Sequence, residues 1–131
     1  MAAAPRPTDA ELAILRVLWE HGASTVREVH DRMSSSSRVV GYTTTLKTLQ
    51  VMTEKGLTLR EERRGQHLYR PRHAEEETQQ RLVTDLLDRA FGGSTSKLVV
   101  RALASRRASP EELREIRRLL AAHKDKEPDH D

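Results

Sequence analysis

The sequence predicts a mainly α protein of the α+β class, in which one β-hairpin separates three N-terminal helices from a helical C-terminal half. Two observations support this class. Apolar residues recur at helical spacing through most of the chain. They alternate with polar residues in two short segments only, one on each side of a turn that contains Gly65. The length of 131 residues fits one domain, or one small domain with an appendage.

The composition indicates a small core and excludes several classes of protein. Charged residues make up 33% of the chain and aromatic residues 3%, and the mean hydropathy is -0.71. Such a chain can bury one modest core, and a partner chain can cover what remains exposed. No apolar run is long enough for membrane insertion, and the N-terminus lacks the pattern of a signal peptide. The absence of cysteine excludes disulfides, thiolate metal sites and a cysteine nucleophile, and it fits a cytoplasmic protein.

Two capping boxes predict the first two helices. Thr8 followed by Glu11 places a hydroxyl N-cap three residues before an acid, and Thr25 followed by Glu28 repeats the pattern. Gly22 ends the first helix. The apolar residues after each cap are spaced for one buried face: Leu12, Leu15, Leu18 and Trp19 in the first helix, and Val26, Val29 and Met33 in the second. The polar run from Ser34 to Ser37 predicts a loop.

A third helix is predicted in spite of three consecutive threonines, Thr43 to Thr45, whose β-branched side chains favour strands. Gly41 is an acceptable N-cap, and Gly56 is placed for a left-handed stop. Caps and periodicity agree, and propensity is the weaker indicator. We expect Thr45 to turn partly inward, and the following side chains to face the core: Tyr42, Leu46, Leu49 and Met52.

The hairpin and the third helix carry the positive charge. Alternating residues 57–60 and 67–70 flank a turn at residues 63–66, and Pro71 fits the end of an edge strand. Residues 38–72 contain eight basic and three acidic side chains, a net charge of +5 in a chain whose total is +3. This segment is therefore a candidate surface for nucleic acid, although a solvated basic surface would give the same count.

Three further helices are predicted after the hairpin. The first covers residues 74–91 and ends at Gly92-Gly93, Ser94 caps a short second helix, and Ser109-Pro110 starts the last. Residues 8–72 are expected to form one domain and residues 73–123 a helical dimerisation domain. The tails at residues 1–7 and 124–131 are expected to be disordered.

Three helices followed by a hairpin is the order of a winged helix-turn-helix domain, in which the third helix enters the DNA major groove and the wing contacts the flanking backbone. The helix face opposite the expected core carries short hydroxyls, methyl groups and one lysine, which suit phosphates and base edges. We therefore expect a surface for double-stranded DNA made of Tyr42, Thr43, Thr44, Lys47, Thr48 and Val51 on the helix and of Arg63 and Arg64 on the wing. A solvent-facing helix with one tolerated valine is the alternative.

The C-terminal helices carry apolar stripes that no further domain in the chain could cover. A second copy related by a two-fold axis would bury them. The expected homodimer interface comprises Leu82, Val83, Leu86, Leu87, Phe91, Leu98, Leu113, Ile116 and Leu120. In the alternative, these helices fold back on the N-terminal domain of a monomer.

Four segments resemble the penicillinase-repressor (BlaI/MecI-like) family of winged-helix transcriptional regulators: LAILRVLWEHGASTVREVHDRM, YTTTLKTLQVMTEKGL, GQHLYRPR and FGGSTSKLVVRAL. The similarity runs from about Thr8 to Leu120, and Tyr-Thr-Thr followed by Glu-Lys-Gly is its most specific part. The resemblance implies a homodimer that binds a palindromic operator and represses β-lactam-resistance or related genes. It also implies release when a membrane sensor protease cleaves the repressor.

The chain departs from that family in three respects. The family's cleavage site is an Asn-Phe bond, and the aligned residues here are Arg101 and Ala102. The cut therefore lies elsewhere, the protease has another specificity, or release works differently. Val51 stands where some relatives have a basic residue, which implies a different operator. Copper-responsive relatives use C-terminal cysteines, which this chain lacks.

No cofactor, metal site or enzymatic activity is expected. The histidines include no pair at i, i+4 spacing, and the chain has no nucleophile elbow, P-loop or metalloprotease motif. The sequence leaves two other functions open. One is a winged-helix module for protein interaction, and the other is a winged-helix regulator released by a small molecule bound between its halves.

Overall fold

The computed structural model describes residues 6–34 and 40–126. Its helices and strands are α1 (Asp9–His21), α2 (Val26–Ser34), α3 (Tyr42–Lys55), β1 (Thr58–Arg63), β2 (Gln66–Pro71), α4 (Glu75–Ala90), α5 (Thr95–Ser105) and α6 (Pro110–Lys126). The order of helices and strands confirms the predicted fold class. The loop was expected from Ser34 to Ser37, but Ser34 is the last residue of α2. Residues 35–37 and the ends of the chain at residues 1–5 and 127–131 lie outside the described residues.

Both predicted capping boxes are formed. The backbone N–H of Thr8 donates to Glu11 Oε1 at 2.9 Å, and the N–H of Glu11 donates to Thr8 Oγ1 at 3.2 Å. The corresponding distances between Thr25 and Glu28 are 2.8 and 3.1 Å. These reciprocal bonds satisfy N–H groups that a helix N-terminus leaves unpaired, and they explain why α1 and α2 begin where they do.

One apolar core joins α1, α2, α3 and the hairpin. Its buried side chains are Ile14, Leu15, Leu18, Val26, Val29, Met33, Leu49, Met52, Leu57 and Tyr69. Tyr69 comes from β2 and is 1% exposed, so the wing is packed against the helices and does not project freely. This packing fixes the position of the hairpin relative to α3.

A backbone bridge that the sequence did not indicate also holds the wing. The N–H of Ser24 donates to the carbonyl of Tyr69 at 2.9 Å, and the N–H of Tyr69 donates to the carbonyl of Ser24 at 2.8 Å. Ser24 lies between α1 and α2 and pairs with β2 as an isolated antiparallel β-bridge. A single paired residue has no alternating pattern, which is why sequence periodicity cannot reveal it.

The wing is a six-residue by six-residue antiparallel hairpin with a two-residue turn. Its register runs from Thr58 opposite Pro71 to Arg63 opposite Gln66. Arg64 and Gly65 form the turn with φ values of 54° and 78°. Positive φ at both central positions is the condition for a type I′ turn, whose twist matches that of the strands.

Glu11 and Lys55 connect α1 to the end of α3. Lys55 Nζ lies 2.7 Å from Glu11 Oε1, and the Glu11 side chain is only 6% exposed. Burial alone would raise the pKa of Glu11, but hydrogen bonds from Lys55 and Thr8, together with the charge of Lys55, outweigh it and hold the pKa below its ordinary value. The sequence identified Glu11 as a capping residue and did not indicate this ion pair.

The chain divides into two compact units, one ending at Thr84 and the other beginning at Asp85. The division falls inside α4, later than the expected boundary at residue 72. The reason is that the start of α4 packs on the first unit, where Thr78 is buried and Trp19 Nε1 donates to the carbonyl of His73 at 3.0 Å.

The second unit buries little apolar surface within itself. No residue of α5 is buried. Six of its large apolar side chains are 40–63% exposed: Leu86, Val99, Val100, Leu103, Leu119 and Leu120. Helix α6 continues to Lys126, past the expected start of a disordered tail at residue 124, because no Gly or Pro interrupts the chain before Pro128. None of the described helices has the length and apolar character needed to cross a bilayer.

Candidate nucleic-acid interface

Helix α3 exposes a polar face near its N-terminus. Thr43, Thr44 and Lys47 are exposed, whereas Thr48 and Val51 are half-buried. All five were predicted to face DNA, and the structure brings them to one side of α3. Thr43 and Thr44 lie in the first turn, where backbone N–H groups have no partner within the helix.

Tyr42 does not face the core, contrary to the sequence-based expectation. It is 39% exposed, and the buried residues of α3 are Thr45, Leu49 and Met52. The inward face defined by the three buried side chains is centred about 40° from that of the expected core set, since each helical residue turns the direction by about 100°. The difference arises because Thr45 is buried and Leu46 is only half-buried. Tyr42 is the first residue of α3, and its ring packs against Arg27 and His30 of α2 and not into the core.

This rotation reveals Gln50, which the sequence reasoning missed. Gln50 is exposed and lies three residues after Lys47 and seven after Thr43, so the three side chains form one stripe along α3. Gln50 could have been predicted if Thr45 had been assigned to the core. With Thr45 in the core set, the centre of the opposite face of α3 moves from Val51 toward Gln50.

The threonine hydroxyls are not equally available. Thr45 Oγ1 donates to the carbonyl of Gly41 at 3.2 Å, and Thr48 Oγ1 donates to the carbonyl of Thr44 at 2.8 Å. Thr45 is also only 2% exposed. Such bonds to the preceding turn satisfy a hydroxyl that would otherwise compete with the helix. Thr43 and Thr44 therefore remain the two threonines best placed to contact a ligand.

The wing tip presents both predicted arginines to solvent. Arg63 lies in the last position of β1, where its Nη2 is 3.5 Å from Glu61 Oε1, and Arg64 occupies the turn. An exposed ion pair of this length is weak and is easily replaced by another anion. Both guanidinium groups are thus available for a phosphate backbone beside α3.

The Tyr42 ring packs against α2. The Arg27 guanidinium carbon lies 4.8 Å from the ring centroid, and the His30 ring meets it edge-on at 5.8 Å with an interplanar angle of 69°. A groove of about 280 Å³ lies beside this cluster, between α2, α3 and β2. It is lined by Thr25, Val26, Arg27, Tyr42, Leu46, Gln66, His67 and Tyr69.

The residues predicted for a dimer interface are accessible to different degrees. Val83, Leu86 and Leu120 are exposed, and the other six are half-buried: Leu82, Leu87, Phe91, Leu98, Leu113 and Ile116. The exposed Val99, Val100, Leu103 and Leu119 were not in the predicted set. They lie between or beside predicted positions on α5 and α6, where the sequence pattern is apolar on more than one face.

The candidate cleavage position lies inside a regular helix. Arg101 and Ala102 are both exposed in the middle of α5, and the carbonyl of Arg101 accepts a hydrogen bond from Ser105 Oγ at 2.6 Å. A protease binds its substrate in an extended conformation, so α5 would have to open before this bond could be cut. Within the described ranges, no cluster of three His, Cys, Asp or Glu side chains could hold a metal ion.

Comparison with known proteins identifies the family. Residues 7–122 match the family model of the penicillinase repressor. A penicillinase repressor from Bacillus licheniformis is 27% identical over 93% of this chain and 94% of its own length.

Two solved structures resemble 59% of the chain, each with a TM-score of 0.50 over 93% of its own length. They are the Bacillus licheniformis BlaI monomer in complex with the blaP half-operator, at 25% identity, and the DNA-binding domain of the repressor BlaI, at 26%. Because the family model covers most of the sequence, the chain belongs to the penicillinase repressor family.

Proposed function

We propose that this protein is a sequence-specific DNA-binding repressor, without enzymatic activity, that acts on an operator in the cytoplasm. The observation that carries the proposal is the exposed stripe of Thr43, Lys47 and Gln50 on α3, beside a wing whose tip carries Arg63 and Arg64. A family relative solved with its half-operator supports the same assignment.

The side chains on α3 provide the chemistry for reading base edges. Lys47 can donate to the O6 and N7 atoms of guanine, and Gln50 can form a bidentate pair with adenine. The methyl groups of Thr43 and Thr44 suit the thymine methyl. Val51 is half-buried at the edge of this face. The operator is therefore expected to differ from those of relatives with a basic residue at that position.

The protein is proposed to act as a homodimer on a palindromic operator. Exposed leucines and valines on α4, α5 and α6 provide apolar surface for a second copy, and this surface lies outside the buried core of the N-terminal unit. Two copies related by a two-fold axis would present two α3 helices to successive half-sites. The expected targets are β-lactam-resistance or related genes.

Release by a membrane sensor protease is proposed to involve local opening of α5. This helix has no buried residue, so opening it costs little apolar burial. Exposing cells to a β-lactam and measuring the mass of the repressor tests this step. A full-length chain in derepressed cells would reject cleavage and favour release by a bound ligand.

The repressor function is tested by measuring fluorescence anisotropy of the full chain with two duplexes. One comes from the promoter region upstream of its own gene, and the other is a shuffled duplex of equal length and composition. We expect the first to bind at least about a thousandfold more tightly, as specific repressors do. Equal affinity for both duplexes at every salt concentration would reject sequence-specific repression.

A further inference from the structure

We propose that Arg27 and Tyr42 form a second DNA contact site, which binds a backbone phosphate in the groove between α2, α3 and the wing. The proposal rests on the proposed function, because DNA is the ligand in both. It adds a site away from the stripe of α3 that contacts base edges, and it assigns a role to Arg27, which the sequence did not single out.

The geometry shows an arginine held in place by an aromatic ring. The Arg27 guanidinium carbon is 4.8 Å from the centroid of Tyr42, inside the range of about 6 Å for cation–π contacts. His30 lies three residues after Arg27, on the same side of α2, and packs edge-on against the same ring. The Tyr42 ring is therefore fixed against α2 by two neighbours, and Arg27 rests on a fixed surface.

A guanidinium held over an aromatic ring retains its hydrogen-bonding capacity. A cation–π contact uses the charge of the group and not its N–H donors, which can still bind the oxygens of a phosphate. Because the ring already restricts the side chain, less conformational freedom is lost when the phosphate binds. Tyr42 is thus a positioning residue for Arg27, and the ring supplies this role without the hydroxyl.

No acid lines the groove beside Arg27. Asp31, four residues after Arg27 on α2, is exposed and lies 3.5 Å from His30 Nδ1, and no salt bridge joins Arg27 to an acid among the side chains that the structure describes. The adjacent Glu28 carboxylate accepts a hydrogen bond from the backbone N–H of Thr25 at 2.8 Å. An anion is therefore the favoured occupant of the space beside Arg27.

The position of the groove indicates which anion binds. One wall is the start of α3, which is proposed to enter the major groove, and another is β2 of the wing, which is proposed to contact flanking backbone. A DNA strand that passes from α3 to the wing crosses this groove. Gln66 and His67 on β2 supply further donors to the same strand. The occupant is accordingly the sugar-phosphate backbone of the operator.

The test compares Arg27→Ala with Arg16→Ala, which removes an exposed arginine from α1. Affinity is measured against salt concentration for the promoter duplex and the shuffled duplex. We expect Arg27→Ala to weaken binding to both duplexes by a similar factor, on the order of tenfold. We also expect it to reduce the slope of log affinity against log salt by about 0.9, the value for one phosphate. Arg16→Ala should change neither quantity.

Two further measurements separate a contact from a general loss of charge. Tyr42→Phe keeps the ring and should bind nearly as the parent does, whereas Tyr42→Ala should lose part of the affinity. A methylphosphonate scan of the promoter duplex should find one neutral position that weakens the parent protein and has no further effect on Arg27→Ala.

The outcomes for this site and for the proposed function are distinguishable. Unchanged affinity and slope in Arg27→Ala, or equal losses in Arg16→Ala, would overturn the phosphate site even if the parent discriminates between the duplexes. A parent that binds both duplexes equally, but loses slope on Arg27→Ala, would reject sequence-specific repression and keep the phosphate site. A parent that binds neither duplex would reject both.

Discussion

The ion pair between Glu11 and Lys55 is expected to stabilise the fold because it links α1 to the C-terminal end of the proposed recognition helix, α3. The substitution Glu11→Gln removes the negative charge and keeps the shape of the side chain. The amide oxygen can still accept the N–H of Thr8, which Glu11 Oε1 accepts at 2.9 Å. The main loss is therefore the charge-assisted contact with Lys55.

The magnitude follows from the distance and the burial of the pair. At 2.7 Å the attraction is about 6 kcal/mol with an effective dielectric constant of about 20. Burial of Glu11 offsets much of this attraction, and Lys55 is 31% exposed, so solvent screens part of the remainder. The pKa of Glu11 lies below its ordinary value, which means that the charged form remains favoured in the fold. We expect Glu11→Gln to cost about 1–2 kcal/mol at neutral pH.

The effect should depend on pH in a defined direction. Because the folded-state pKa of Glu11 is lowered, its contribution is present above the unfolded value, about 4.5, and is lost as the pH falls through the folded-state pKa. Urea denaturation of the parent and of Glu11→Gln from neutral to acidic pH measures this. The difference in free energy of unfolding should be constant near neutral pH and should shrink below about pH 4.5.

Glu20→Gln is the matched control, since its carboxylate lies on the same helix and is 76% exposed. It should change the free energy of unfolding by less than about 0.5 kcal/mol. A double-mutant cycle with Lys55→Met then isolates the pair. The reasoning is refuted if the coupling energy is zero at neutral pH, or if the difference between parent and Glu11→Gln grows as the pH falls.

Three further predictions concern DNA binding, assembly and the wing. Lys47→Ala and Gln50→Ala should each weaken operator binding by about 1–3 kcal/mol and relax discrimination at one base pair. A uniform loss across sequences would identify a phosphate contact instead. Leu86→Asp should dissociate the homodimer, as measured by sedimentation. Thr84→Asp, on another face of α4, should leave the mass unchanged, and a dimeric Leu86→Asp protein would contradict the interface. Gly65→Ala should destabilise the protein by about 1–2 kcal/mol in urea because φ is 78° there and nothing crowds the added methyl group. Gly41→Ala, at an ordinary φ of -68°, should cost less, about 0.5 kcal/mol, because alanine is a poorer N-cap than glycine, and equal costs would argue against backbone strain at the turn.

The starts of the helices could be predicted because they depend on hydrogen bonds between residues close together in the sequence. A threonine followed three residues later by glutamate forms its two hydrogen bonds within one turn, whatever packs around it. Both capping boxes could therefore be identified from the sequence, as could the serines that cap α5 and α6. The positive φ values of Arg64 and Gly65 are local in the same sense, since a two-residue turn between strands requires them.

Tyr42 shows where the same approach fails. Its spacing from Leu46 and Leu49 is helical, but spacing does not show which side chains of a neighbouring helix the ring will meet. The ring instead packs between Arg27 and His30 of α2, a contact between residues distant in the sequence. Thr45 was expected to turn only partly inward and was left out of the expected core set, which is why Gln50 was missed on the candidate DNA-binding surface.

The sequence by itself determined the order of helices and strands, the basic hairpin, the threonine-lysine start of α3 and the family resemblance. These features depend on residues close together in the chain, whose caps, turns and periodicity act locally. Only the tertiary structure decided the rotation of α3, the bridge from Ser24 to Tyr69, the pairing of Glu11 with Lys55, and the contact of Arg27 with Tyr42. Each of these joins residues that are far apart in the chain, so their geometry depends on how the helices pack around one core.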